Sequence, residues 1–345
     1  MNRKNFLQTT GLALVGAALP IRMEAHSVKP KRVKPPRLKK GDTIALVAPA
    51  GEVKDQQIQD SFKNLEALGF ICKEGKHIRE KYGYLAGEDK KRAEDLTEQF
   101  LDKNVAGIMA IRGGYGCSRM LDYIDYSIPT KNPKVFVGYS DITALHYALY
   151  TQSGLVSFHG PVSTSTFNEY SVKNFINTVM EPTQTLKIVR ATEEKTGSEY
   201  ILRRLIAGKA QGILMGGNLS VAVSLVGTKY MSDPTNALYY FEEVGEEPYR
   251  VDRMLQQFIL SGALAGVKAI LHGVYLECAP EKMSTITNSF SLKEVLQEKA
   301  NQLSVPSLYG FSFGHITNKI TLPFGIEAEL DVESETLTLL ETAVL

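Results

Sequence analysis

Three times between residues 43 and 138 a short, unbroken apolar run stops at a turn. Thr43–Ala48 ends in Pro49-Ala50-Gly51, Gly107–Ile111 runs into Arg112-Gly113-Gly114-Tyr115-Gly116, and Val135–Gly138 runs into Tyr139-Ser140. A run with no polar alternation belongs to a strand buried on both faces, which is the habit of a parallel sheet. Parallel neighbours need crossover connections, and the intervening residues have helical spacing. Ile58, Phe62, Leu65 and Leu68 fall on one face of Asp55–Leu68, and Ala93, Leu96, Phe100 and Leu101 on one face of Glu88–Leu101. Phe70–Glu74 reads as a further strand, and Ser118–Ile124 and Ala144–Tyr150 as helices. The alternation predicts an α/β sheet covered on both faces, with ligands outside the carboxyl ends of its strands.

From Met180 to Arg204 this rhythm is lost. Pro182 and the polar run Glu193–Ser198 mark residues 181–204 as a linker between a domain over 41–180 and a second over 205–345. In the second, Gln211–Met215, Ala237–Glu242, Ala269–Val274 and Thr336–Leu340 read as strands, and Tyr249–Leu260 and Leu292–Gln302 as helices. That is a mixed α/β arrangement with a core of its own.

Charge divides the chain differently. Residues 1–40 hold ten basic residues and one acidic, a net of +9, while the rest carry 29 basic against 37 acidic, a net of −8. A net-acidic body lacks the clustered basic surface that phosphate backbones require, so nucleic acid is not an expected partner. Arg3 and Lys4, followed by the uncharged stretch Asn5–Ile21, read as an export signal over residues 1–25. Its apolar stretch is too short for a comfortable membrane span. Arg3-Lys4-Asn5-Phe6-Leu7 resembles a twin-arginine signal with lysine in the second place, and Met23-Glu24-Ala25 offers a cleavage site. Residues 26–40 are expected to form an extended, solvated, basic lead-in. Cys72, Cys117 and Cys278 lie far apart with no CxxC, which argues against a zinc site or a disulfide framework.

Ser140 falls between a buried strand and a helix. A sharp turn there lifts its hydroxyl clear of the sheet and into the field of a helix N-terminus, where amides can hold an oxyanion. The match to a Gly-x-Ser-x-Gly elbow is incomplete, because Ile142 stands where the second glycine belongs. Ser140 or Asp141 as a plain helix N-cap is the competing reading. Gly113 and Gly114 do not fit a dinucleotide fingerprint, since Arg119 replaces the third glycine; they suit a loop whose amides approach a ligand. A nucleophilic serine needs a base. His146, on the helix of Ser140, is expected to face elsewhere, which leaves His77, His159, His272 and His315. Glu242 and Glu243 end a strand as candidate acids, and in extended chain only one of the two can face a given histidine.

Taken in order, several segments resemble the motifs of the LD-carboxypeptidases, a family of serine peptidases. They are Tyr84-Leu85-Ala86-Gly87, Arg112-Gly113-Gly114-Tyr115-Gly116, Gly138-Tyr139-Ser140-Asp141, Phe158-His159-Gly160-Pro161, Gly216-Gly217-Asn218-Leu219, Phe241-Glu242-Glu243, Pro248-Tyr249-Arg250-Val251-Asp252-Arg253 and Gly314-His315. The resemblance implies a flavodoxin-like N-terminal domain and a mixed C-terminal domain with the site in the cleft between them. It implies a triad of Ser140, His315 and Glu242, with Glu243 supporting, and an oxyanion held by the amide of Asp141 and one from Gly113 or Gly114. The implied reaction cleaves the bond between an L-centre and a terminal D-alanine of a murein tetrapeptide or related peptide, with no cofactor and no metal. A homodimer is one option for its assembly. Ile316-Thr317-Asn318 departs from the glycine- and proline-rich stretch the family carries after its histidine. Two rivals remain: an immunity-type peptidase that cleaves aminoacyl-nucleotide antibiotics, and a non-catalytic ligand-binding protein. The first commonly stacks a base on tryptophan, and this chain has none.

Overall fold

The computed structural model describes residues 31–192, 197–280 and 288–345. The expected export signal over residues 1–25 lies outside them. The first sheet begins with β1 (Thr43–Val47), β2 (Ile71–Glu74), β3 (Gly107–Ala110), β4 (Val135–Gly138) and β5 (Ser157–His159). The second collects β6 (Leu186–Val189), β7 (Arg203–Ile206), β8 (Lys209–Asn218), β9 (Ala237–Val244), β10 (Ala269–Leu276) and β11 (Ser307–Tyr309). β12 (Leu322–Phe324) crosses back to the first sheet, before β13 (Ile326–Asp331) and β14 (Thr336–Leu339) return to the second.

The first sheet has the order β12-β5-β4-β3-β1-β2, parallel except at β12. Read from β2, that is the flavodoxin-like order 2-1-3-4-5, which reverses direction between β1 and β3. The continuous apolar runs predicted this burial: every residue of β3 and β4 is buried. The connecting helices are α1 (Asp55–Ala67), α2 (Asp89–Leu101) and α3 (Thr143–Ser153), with α4 (Glu169–Val179) after β5. The helix expected over Ser118–Ile124 is a single α-turn, Cys117–Met120, continued by a tighter turn, Leu121–Tyr123.

The second sheet has the order β6-β14-β13-β8-β9-β10-β11-β7. β8 to β11 are parallel and the flanks antiparallel, so it is mixed as expected. Helix α3 runs between the two sheets and is buried without interruption from Thr143 to Leu149, which is why that stretch reads as apolar all round rather than amphipathic. Its Thr143 Oγ1 accepts from the amide of Asn218 at the end of β8, at 3.0 Å. One apolar cluster joins the halves, taking in Phe136, Leu145 and Tyr147 together with Leu214, Tyr240 and Phe324.

Three expectations of organisation differ from what is seen. The stretch 181–204 contains β6, which pairs with β14 at the edge of the second sheet, and the start of β7. The edge strand is only four residues long, Leu-Lys-Ile-Val, too short to show a periodicity in a stretch otherwise broken by Pro182 and polar residues. The lead-in is solvated only in part: Leu38 is 1% exposed, Val33 bridges to Leu155, and Lys34 pairs with Glu341 at 2.7 Å. Beside them the lead-in is laced to residue 345, Leu345 N donating to Pro35 O at 2.9 Å and Arg37 N to Leu345 O at 3.0 Å. Finally, β12 puts a piece of the 205–345 half into the first sheet. It is three residues long with Pro323 at its centre, a residue tolerated there because the strand is an edge.

Candidate active site

The carboxyl ends of β1, β3 and β4 open on one side of the first sheet, and the ends of β8 and β9 meet them there. Ser140 follows β4 with φ +65°, a left-handed backbone that serine adopts only at a cost of about 1–2 kcal/mol. The strain turns its hydroxyl out of the strand and lets residues 140–142 wind directly into α3. Ile142, in the place of the elbow's second glycine, is fully buried over Gly138, where an added Cβ would stand 2.9 Å from two of its carbons. The residue that departs from the elbow pattern is thus accommodated by the glycine four residues before it.

His315 lies in the connection between β11 and β12, 175 residues from Ser140. Its Nε2 is 3.2 Å from Ser140 Oγ, and its Nδ1 is 2.8 Å from Glu242 Oε2. A carboxylate can only accept, so Nδ1 carries the proton and the bare Nε2 faces the serine hydroxyl. Glu242 has no exposed surface, and its other oxygen, Oε1, is buried with no hydrogen-bond partner among the described residues. Burial pulls the His315 pKa down, but the charge and hydrogen bond of Glu242, with Glu243 adding, outweigh it, and the net shift is upward. Tyr139 packs edge-on against the imidazole with ring centroids 5.0 Å apart.

Glu243 points the other way, as neighbours in a strand must. It accepts from Asn218 Nδ2 at 3.0 Å, from Ser220 N at 2.7 Å and from Val244 N at 2.9 Å. Burial and the nearby Glu242 charge push its pKa up to about 7. The Asp141 carboxylate is turned away from the serine and accepts from Cys117 N at 2.8 Å, tying the nucleophile turn to the next loop.

Gly113 sits directly against the serine. A Cβ there would meet Ser140 Cβ at 2.8 Å, Ser140 Oγ at 2.9 Å and Asp141 N at 3.3 Å. Glycine therefore keeps open the space shared by the nucleophile and an amide, where an oxyanion would need to sit. Gly114 lies instead against the backbone of Gly51.

The other histidines are engaged elsewhere. His146 is fully buried between Ser157 Oγ at 2.8 Å and Gly138 O at 2.9 Å. His272 bonds the hydroxyl of Tyr275 at 2.9 Å, and His77 bonds Glu80 at 2.7 Å. His159 is buried in an aromatic cluster that includes Tyr139 and Tyr240. Residue reasoning missed Lys319, a residue only 7% exposed, whose ammonium bonds Ile316 O and lies 5.2 Å above the Tyr139 ring. Nothing in its sequence context marked it.

Models of the LD-carboxypeptidase N-terminal domain and C-terminal domain match residues 44–160 and 211–330. A probable murein peptide carboxypeptidase of Bacillus subtilis is 36% identical, over 88% of this chain and 93% of that protein. The microcin C7 self-immunity protein of Escherichia coli is 26% identical, over 87% of this chain and 94% of its own. Among solved structures, a muramoyltetrapeptide carboxypeptidase from Oxalobacter formigenes superposes with a TM-score of 0.73 at 29% identity, covering 86% of this chain and 97% of that one.

Proposed function

Because this chain belongs to the LD-carboxypeptidase family and is a serine-type carboxypeptidase, we propose that Ser140, His315 and Glu242 form its triad and that its substrate is a murein tetrapeptide ending in D-alanine. The observation that carries the reading is the hydrogen-bonded row from Ser140 through His315 to the buried Glu242.

In this reading Ser140 Oγ attacks the carbonyl before the terminal residue, and its proton passes to His315 Nε2. The resulting oxyanion is held by the amide of Asp141 in the space that Gly113 leaves open; one such donor typically contributes about 3 kcal/mol to the barrier. Collapse breaks the C–N bond, and the proton on His315 goes to the departing amine, which leaves as free D-alanine. Water then repeats the sequence on the acyl-enzyme, with His315 again the base, and regenerates Ser140. Glu242 holds the imidazole in the tautomer with Nε2 free and stabilises the cation formed in each half-reaction. The identity to the murein peptide carboxypeptidase exceeds that to the self-immunity protein, and the chain has no tryptophan for base stacking, so a peptide substrate is favoured over an aminoacyl nucleotide.

The test is cleavage of lysine- and diaminopimelate-containing tetrapeptides by wild type and Ser140→Ala. The variant is expected to lose at least about a thousand-fold in kcat with an unchanged melting curve. Near-normal turnover by Ser140→Ala reduces Ser140 to a helix cap and overturns the mechanism.

A further inference from the structure

A carboxypeptidase must recognise the free carboxylate at the end of its substrate, and that group is never far from the bond it cuts. By standard bond lengths the terminal carboxylate carbon is under about 4 Å from the scissile carbonyl carbon. A cation that serves it must therefore stand beside the nucleophile and carry no acidic partner of its own.

Two cations in the cleft meet the second condition among the described residues, Lys319 and Arg112. Lys319 is enclosed: its ammonium is committed to Ile316 O beneath the Tyr139 ring, and burial brings its pKa down to about 8. Arg112 is half-buried and open. It immediately precedes Gly113, the residue pressed against Ser140, and it makes no ion pair. Its Nε donates to Gly113 O at 3.2 Å and its Nη1 to Glu52 O at 3.3 Å, while Nη2 has no protein acceptor among the described residues. The ground around the fork is bare. A Cβ at Gly51 would stand 3.7 Å from its Cζ, and one at Gly114 would stand 3.8 Å from Nη2. These glycines and Gly113 belong to the loops after β1 and β3, the two strands between which the first sheet reverses order, where a sheet of this topology binds its ligand.

We propose that Arg112 is the anchor for the substrate's terminal carboxylate and so restricts the enzyme to the last peptide bond. The claim rests on the tetrapeptide reading and adds to it the residue that makes the site an exopeptidase site. A guanidinium suits the task because it stays charged, is weakly hydrated and matches a carboxylate with parallel donors. Its bonds to Gly113 O and Glu52 O fix its stem without neutralising it, so the fork is oriented before substrate arrives. The same bonds would brace the oxyanion loop, and the test must separate bracing from anchoring.

The comparison is kcat/KM for a tetrapeptide with a free terminal carboxylate and for its C-terminal amide, in the full chain, as wild type, Arg112→Gln and Arg112→Lys. Wild type should prefer the acid by on the order of 30- to 100-fold, the worth of charge-assisted hydrogen bonds. Arg112→Gln should lose that factor on the acid and stay within a few-fold on the amide, so that the ratio falls toward one. Arg112→Lys, which keeps the charge without the fork, should lie between. Equal losses on both peptides would make Arg112 a brace only and overturn the anchor, as would an Arg112→Gln variant that still prefers the acid. A wild-type chain that cleaves neither peptide overturns the tetrapeptide reading, and the anchor falls with it.

Discussion

Ser140 combines a proposed chemical role with a backbone cost, and the two can be measured apart. Alanine at 140 removes the hydroxyl but keeps a Cβ at φ +65°; glycine removes both. Ser140→Gly should therefore be more stable than Ser140→Ala by about 1 kcal/mol, read as a higher melting temperature, while both are inactive. Equal melting temperatures would show the turn to be unstrained. The two glutamates separate by the atoms they face. Glu242→Gln loses the charge that stabilises the imidazolium, and the rate loss can reach about ten-thousand-fold. Glu243→Gln touches His315 only at second hand and should cost on the order of ten-fold at most in kcat/KM. If the effects are reversed, the acid of the triad is Glu243. The pH profile follows with a definite sign. His315 must be neutral to take the serine proton, and its pKa lies above the ordinary 6.5, so the acid limb of kcat/KM should fall above pH 6.5. In Glu242→Gln burial and the Lys319 charge are opposed only by Glu243, and the residual activity should show that limb displaced to lower pH. A limb that stays in place would mean that Glu242 does not set the basicity of His315.

Among the elements, β12 ties the far half of the chain to the first sheet. It closes the first sheet from the far half of the chain, and Phe324 plugs it in, fully buried with ring centroids 4.9 Å from Tyr147 and 5.3 Å from Tyr150 on α3. Phe324→Ala should cost about 3–5 kcal/mol, and because the residue sits in the core common to both sheets, the loss should appear as one lower, still single unfolding transition. Two separated transitions would show that the halves are stabilised independently. The same element marks where the sequence stops being readable. β1, β3 and β4 were evident because strands buried on both faces cannot hide their composition. β12 was not, since three residues built around a proline carry no periodicity, and its partner β5 lies more than 150 residues earlier. β6 is hidden too, because four residues between Pro182 and a polar run carry no readable period. At the site, the serine turn and the carboxylate pair were visible as local chemistry. Residue logic alone did not separate His315 from His159 or His272; the family resemblance did, because the partners that distinguish them come from other strands.

At the scale of the molecule, the seam is where the halves are most dependent on each other, since Ser140 comes from one and Glu242 and His315 from the other. The export proposal belongs here as well. With Arg3, Lys4 and an uncharged stretch ahead of Ala25, the mature protein is expected in the periplasmic fraction with an N-terminus near residue 26. A cytosolic protein still beginning at Met1 would return it to peptide recycling inside the cell. The lacing of the lead-in to Leu345 bears on the order of events during synthesis. Residues 35 and 37 leave the ribosome early, and the residue that binds them, Leu345, follows roughly 300 residues later. β12 and His315 also emerge near the end. On the proposed triad a growing chain therefore has its nucleophile long before it has a base, and its first sheet stays open until β12 is made. On the proposed triad, arrival of His315 and β12, rather than folding of the first domain, is the moment at which the enzyme can first act, so a product truncated before them is expected to be inert.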